Sequence, residues 1–251
     1  MTKDAPTKYV AIYKTDYTLK LKDKLGDLAD ISVTALKDGG LKRPIKVFDV
    51  IKGHFPTNLQ LKEEVKAIWI TGSSSDAFAD EEWINNLAHH LEYLIRNHPH
   101  IRIIGICFGH QIVSRSMGAK VFRNPKGWEA GVYDVNVNVE DEDIKELFSE
   151  IGETIRIQEV HQDCAFSLPK GFKNIGSTDK TEIQGMYLKR QVLTFQGHPE
   201  IESEYMHALI EMIIPEHPEF TKEFIDDTRA RAKEPHNGKE LNQICVKFIE
   251  S

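Results

Sequence analysis

The sequence predicts an α/β fold built on a mostly parallel sheet with helices on both faces. Short, β-rich apolar runs bounded by turn residues recur at 9–13, 45–50, 67–70, 101–106 and 192–195. Between several of them lie helix-length stretches with apolar residues three and four apart, and this alternation is the pattern of a parallel sheet buried on both sides. A chain of 251 residues, 40% hydrophobic and 28% charged, also has the length and composition of one large α/β unit rather than of a disordered or low-complexity protein.

The elements follow in order. After the strand at 67–70, residues 80–97 form the clearest helix: Trp83, Ile84, Leu87, Leu91, Leu94 and Ile95 share one face, Asp80 is read as the N-cap, and Pro99 follows the end. The strand at 101–106 runs into a glycine-flanked turn and a second helix that ends near Gly118. The pattern then changes, because 132–139 alternates strictly and 155–160 and 183–188 read as half-exposed strands. These are expected as antiparallel strands at one edge of the sheet. Beyond Glu200 the chain is helical in pattern, with helices expected at 202–214 and 220–233 and breaks at Pro215, Pro218 and Pro235. No repeat, linker or second boundary is visible, so a single domain over 1–251 is expected, with a C-terminal helical extension from about residue 202.

Charge and cysteine usage exclude several function classes. The balance of 32 basic against 39 acidic side chains gives a net charge of −7, and the basic residues cluster no further than Lys42-Arg43 and Lys189-Arg190. Nucleic acid is therefore not an expected partner. No apolar stretch approaches the roughly 20 residues that span a bilayer, and residues 1–8 carry no apolar leader, so no membrane partner and a cytoplasmic location are expected. Three cysteines, Cys107, Cys164 and Cys245, fit neither a disulfide framework nor a zinc site. The histidines at 89–90 and 98–100 lack completing carboxylates and read as a solvated helix end, so neither a metal nor an organic cofactor is expected.

The chemistry concentrates in Ile103-Ile-Gly-Ile-Cys-Phe-Gly-His-Gln-Ile-Val113. Gly105-x-Cys107-x-Gly109 between a strand and a helix is the pattern of a nucleophile elbow, where a Cβ at either glycine would collide with the neighbouring strand or helix. The helix N-terminus favours thiolate over thiol at Cys107. A second strand end, Gln196-Gly-His-Pro-Glu200, delivers His198 as a base and Glu200 to orient it, at the carboxyl end of a strand where open α/β sheets place their sites. His110, adjacent to the elbow, is expected in the helix–sheet seam, and Cys164 and Cys245 as buried structural thiols.

Together these motifs resemble the class I, triad-type glutamine amidotransferases, over roughly residues 67–200. The resemblance implies a flavodoxin-like open sheet and hydrolysis of a γ-glutamyl amide through a thioester, with Cys107, His198 and Glu200 as the triad. It places the oxyanion hole at Gly72, Ser73 and Phe108, with Ser73 standing where the family usually has a second glycine. It assigns substrate contact to Gln111 and to the segment containing Trp128, Glu129 and Gly131, with His161 and Asp163 as further pocket candidates. The combined pattern looks closest to stand-alone members such as the plant γ-glutamyl peptidases, which implies a small γ-glutamyl substrate such as glutathione. The alternatives are a glutaminase subunit that hands ammonia to a separate synthetase partner, and a catalytically silent regulatory protein of the same fold.

Overall fold

The computed structural model of the protein describes residues 7–17 and 19–251; residues 1–6, most of the segment read above for an apolar leader, lie outside the described residues. In chain order the elements are β1 (Tyr9–Lys14), α1 (Leu19–Leu25), α2 (Leu28–Asp38), β2 (Ile45–Asp49), α3 (Asn58–Glu63), β3 (Val65–Ile70), α4 (Glu82–Asn97), β4 (Arg102–Ile106) and α5 (Phe108–Ser116). There follow β5 (Val121–Arg123), β6 (Glu129–Val137), α6 (Glu142–Leu147), β7 (Thr154–His161), β8 (Asp163–Ala165), β9 (Lys173–Asn174), β10 (Gly176–Ser177), β11 (Gly185–Leu188) and β12 (Val192–Phe195). The chain closes with α7 (Ser203–Ile213), α8 (Lys222–Arg231) and α9 (Gly238–Glu250).

The central sheet has the strand order β2-β1-β3-β4-β12-β11-β9. Its first five strands pair in parallel, and β11 and β9 extend one edge antiparallel. Counting the parallel strands alone, the order is 2-1-3-4-5, that of the flavodoxin-like fold. Alternation along each strand decides which layer it feeds. Ala11, Tyr13, Ile68, Ile70 and Ile103 pack under α4 and α5, whereas Val10, Ile12, Trp69, Ile104 and Ile106 meet α2 and α9 on the other face.

Three expectations need correction. The strands read at 132–139 and 155–160 do not extend the main sheet. They are β6 and β7, a long antiparallel hairpin in a separate sheet of order β10-β6-β7. Their alternate residues Val135, Ile155 and Ile157 join the core beneath the central sheet, so the hairpin packs on that layer instead of lengthening its edge. Asp80 does not cap α4, because Glu81 occupies the N-cap position without a side-chain bond, and the Asp80 carboxylate accepts from Asn85 Nδ2 at 2.8 Å. The histidine group is also not a solvated helix end. His89 is exposed, but His90 hydrogen-bonds the Tyr13 hydroxyl at 2.9 Å and His98 is buried. Burial pushes His90 down to about 4, with His98 adding to the fall.

The C-terminal helices are tied to the hairpin through a bare backbone position. Gly131, on β6, has φ +90, and a Cβ there would lie 2.5 Å from Arg231 Cβ and 3.0 Å from the Ala232 nitrogen. Gly131→Ala is therefore expected to combine left-handed strain with overpacking against α8, a loss of about 2–5 kcal/mol. A urea titration of both proteins measures it as a lowered midpoint at unchanged slope.

Candidate active site

β4 and β12 are neighbours in the sheet, with Phe195 paired to Ile106, so their carboxyl ends deliver residues to one place. Cys107 follows β4 directly and adopts φ 51, ψ −103, a conformation that a residue with a side chain holds only under constraint. Its N–H donates to the Phe195 carbonyl at 2.8 Å, pinning the elbow to the strand that carries the histidine. The flanking glycines meet the steric demand read from the motif. A Cβ on Gly105 would stand 2.5 Å from the Gly109 carbonyl oxygen, and one on Gly109 would stand 2.6 Å from that of Ile70.

His198 and Glu200 lie in the turn after β12, and both are buried. His198 Nδ1 is 2.9 Å from Glu200 Oε1, and its backbone N–H donates to the Gln158 carbonyl of β7 at 2.8 Å. With Nδ1 committed to Glu200, Nε2 is the nitrogen free for Cys107. Burial works against a charged imidazole here, but the charges of Glu200 and Cys107 outweigh it and hold His198 well above its ordinary value. Glu200 and Cys107 together therefore favour the imidazolium form of His198.

The loop after β3 closes the opposite side. A Cβ on Gly72 would come within 2.8 Å of His198 Cε1 and 3.7 Å of Cys107 Cβ, so this glycine packs directly on the imidazole. The loop is anchored to the end of β1: the Thr15 hydroxyl donates to the Gly72 carbonyl at 2.8 Å, the Ser73 hydroxyl to the Thr15 carbonyl at 2.7 Å, and Ser74 N–H to the Asp16 carboxylate at 2.8 Å. Ser73 thus uses its side chain as an anchor. No acceptor among the described residues takes the Ser73 or Phe108 N–H, which leaves both for a ligand oxygen.

The remaining sequence candidates are placed as follows. Gln111 is buried, with Nε2 donating to the Asp163 carbonyl at 2.9 Å and to Gln196 Oε1 at 3.1 Å. Glu129 is buried and accepts from the Thr178 and Thr181 hydroxyls and the Gln184 amide. Burial opposes its ionisation, but the hydrogen bond and charge of His161, with the two threonines, pull it down to about 2. Trp128 meets His217 and Phe220 edge-on. Gly131 gives its bare face to α8, so helix packing occupies the space expected for a ligand. His161 stands between Glu129 and Glu159, and the Asp163 carboxylate pairs with Arg123 at 3.0 Å. His110 is in the seam, its Nδ1 2.8 Å from the Thr194 hydroxyl; burial, with His161 adding, pushes it down to about 3. Cys164 and Cys245 are buried, and burial pushes Cys164 up to about 12 and Cys245 higher still. Among the described residues no group of metal-ligating side chains occurs, and no helix is long and apolar enough to cross a membrane. Sequence reasoning missed Glu159, whose only signal was a charged residue at an inward position of a strand.

An elbow cysteine, a histidine–glutamate pair and two N–H groups with no acceptor among the described residues thus lie together at the carboxyl ends of a flavodoxin-like sheet. Comparison with known proteins gives the family: residues 39–213 match Glutamine amidotransferase class-I, and the chain belongs to it. A glutamine amidotransferase-like protein of Schizosaccharomyces pombe is 33% identical, over 96% of this chain and 98% of that one. Gamma-glutamyl peptidase 2 of Arabidopsis thaliana is 30% identical over 97% of this chain and 96% of its own length. A crystal structure of a glutamine amidotransferase from Thermotoga maritima superposes with a TM-score of 0.71 at 20% identity, covering 98% of this chain and 99% of that one, a likeness of fold.

Two outcomes follow from this geometry. Gly72→Ala should displace the imidazole while leaving the sheet intact, slowing modification of Cys107 by a γ-glutamyl chloroketone by about 10²-fold, as read by mass spectrometry with circular dichroism as the folding control. The second concerns pH. A histidine whose folded value is raised contributes stability that is complete below its unfolded value of about 6.5 and is lost as pH rises through the folded value. The stability advantage of the parent over His198→Gln should therefore be larger at pH 6 than at pH 9 in paired urea titrations.

Proposed function

We propose that this protein is a cysteine hydrolase of γ-glutamyl amide bonds acting on glutathione or related γ-glutamyl peptides. The observation that carries the reading is Cys107 in its left-handed elbow, bonded to the end of the strand that presents the His198–Glu200 pair. In this reading His198 Nε2 takes the Cys107 proton and the thiolate attacks the γ-carbonyl carbon. The Ser73 and Phe108 N–H groups stabilise the oxyanion, each such donor contributing about 10²–10³ in rate. The intermediate collapses with the proton passing from His198 to the leaving amine. Water, deprotonated by His198, then splits the γ-glutamyl thioester and regenerates the thiol.

The choice of leaving group rests on two supports. Relatives that align over nearly the whole chain include γ-glutamyl peptidases, and the helices after Glu200 pack against the same core and hairpin as the rest of the chain. A peptidase needs only water as acceptor.

The test compares glutamate release from glutathione and from free glutamine by the purified chain. The expected result is a higher kcat/KM for the peptide, abolished to about 10⁴–10⁶ below the parent kcat by Cys107→Ala. Glutamine hydrolysis that appears only after a cell extract supplies a synthetase partner, with no peptide cleavage, would overturn the peptidase reading in favour of an ammonia donor.

A further inference from the structure

Beside the triad lies a second buried arrangement of two acids and an imidazole. In the β6–β7 register Glu129 pairs with His161 and Gly131 with Glu159, so Glu129, Glu159 and His161 share one face of the hairpin. All three are buried. His161 Nδ1 lies 2.9 Å from the Asp163 carbonyl, which can only accept, so Nδ1 carries a hydrogen. Nε2 lies 3.1 Å from Glu129 Oε2 and 3.4 Å from Glu159 Oε2. Two bare carboxylates set against one imidazole nitrogen repel each other, which favours a proton on one of the two acids.

The hydrogen bonds decide where it is needed. Glu129 is supplied by three donors, the Thr178 hydroxyl at 2.6 Å, the Thr181 hydroxyl at 2.7 Å and the Gln184 amide at 2.9 Å, and so is suited to stay ionised. Neither Glu159 oxygen has a hydrogen-bond partner among the described residues. A buried carboxylate without donors is the costlier of the two to keep charged. Glu159 also has a mechanical position. A Cβ on Gly197 would stand 2.5 Å from Glu159 Oε1, so the carboxyl is wedged against the residue that precedes His198. Its neighbour Gln158 holds the His198 N–H.

We propose that Glu159 is a positioning residue held as a neutral carboxylic acid, which seats the Gly197–His198 turn without setting a second anion beside Cys107. The titratable groups around it are Glu129 from β6, His161 from β7, and His198 and Cys107 from the ends of β12 and β4. Arg231 of α8, which covers Gly131 opposite, is turned to Asp227 and to the Tyr133 ring. Burial first and the charge of Glu129 second push the Glu159 carboxyl well above the usual carboxylate range; Cys107 adds to the rise and His198 opposes it.

The inference rests on the reading of Cys107 and His198 as nucleophile and base, but not on the identity of the substrate. Its test is accordingly free of substrate: the rate of Cys107 alkylation by iodoacetamide across pH, together with infrared difference spectra, in the parent, Glu159→Gln and Glu159→Ala. The expected results are a protonated-carboxyl carbonyl band that Glu159→Gln deletes, an alkylation profile that Glu159→Gln leaves within a few-fold and unshifted, and a loss of about tenfold or more in Glu159→Ala that the glutamine variant does not show. Three results would overturn the proposal: no deleted band, a profile displaced to lower pH by about one unit in Glu159→Gln, as removal of a neighbouring anion would produce, or an alanine variant that alkylates like the parent. If Glu159→Ala does not fold, the band and the Glu159→Gln profile still decide. A parent enzyme that alkylates as described yet releases no glutamate from any γ-glutamyl compound would refute the proposed function and leave this inference standing.

Discussion

The contact on which the site depends is the crossing of three backbones at the elbow. The strand β4, the helix α5 and the end of β3 approach so closely that the carbonyls of Gly109 and Ile70 would stand within 2.6 Å of any Cβ at Gly105 and Gly109. That approach forces the turn between them into a single residue, and the single residue is Cys107 at φ 51. Such strain persists only where the surroundings over-determine it, and here they do. Ile103, Phe108, Ile112 and Val113 belong to one apolar cluster and Ile104 and Ile106 to the other, so both layers of the fold hold the turn from either side.

The same logic extends to the histidine. The turn carrying His198 and Glu200 is gripped at several points by segments far away in sequence. Gln158 on β7 takes the His198 N–H and donates its side-chain amide to the Ala232 carbonyl, and Asn242 of α9 donates to the Pro199 carbonyl at 2.9 Å. The β6–β7 hairpin and the C-terminal helices are thereby part of the scaffold that holds this turn. Their packing fixes where the imidazole sits, and the imidazole in turn packs on Gly72 of the loop after β3. An error in any one of these contacts reaches Cys107 and His198 through the others.

What could be read from the sequence divides along physical lines. The parallel strands and α4 were legible because their apolar periodicity is strong and local, and the elbow was legible because sterics restrict its glycines to one pattern. The place of β6 and β7 was not, since alternation tells that a strand has two different faces but not which sheet pairs with it. α9 illustrates the opposite case: Leu241, Ile244, Cys245, Phe248 and Ile249 are spaced as one helical face and all are buried, a signal present in the sequence but not singled out. The roles of Gln111 and Glu129 were assigned by family resemblance, and their hydrogen-bond partners Gln196, Thr178, Thr181 and Gln184 come from segments that no local pattern joins to them.

Glu159 was illegible for a related reason, and its setting explains how so acidic a site holds together. The carboxylates around the cysteine are each matched to donors or cations: Glu200 to His198, Glu129 to two hydroxyls, an amide and His161, Asp163 to Arg123. Matching of this kind is what lets a buried carboxylate remain charged. Glu159 breaks the rule: among the described residues no hydrogen-bond donor reaches its oxygens, and the His161 ring it shares with Glu129 stands 3.4 Å away. A group that lacks the partners its charged form needs is stable there only in its neutral form. The contrast between the two acids on one hairpin face therefore sets their protonation states apart, and it does so through hydrogen-bond supply: Thr178, Thr181 and Gln184 reach Glu129 and none of them reaches Glu159.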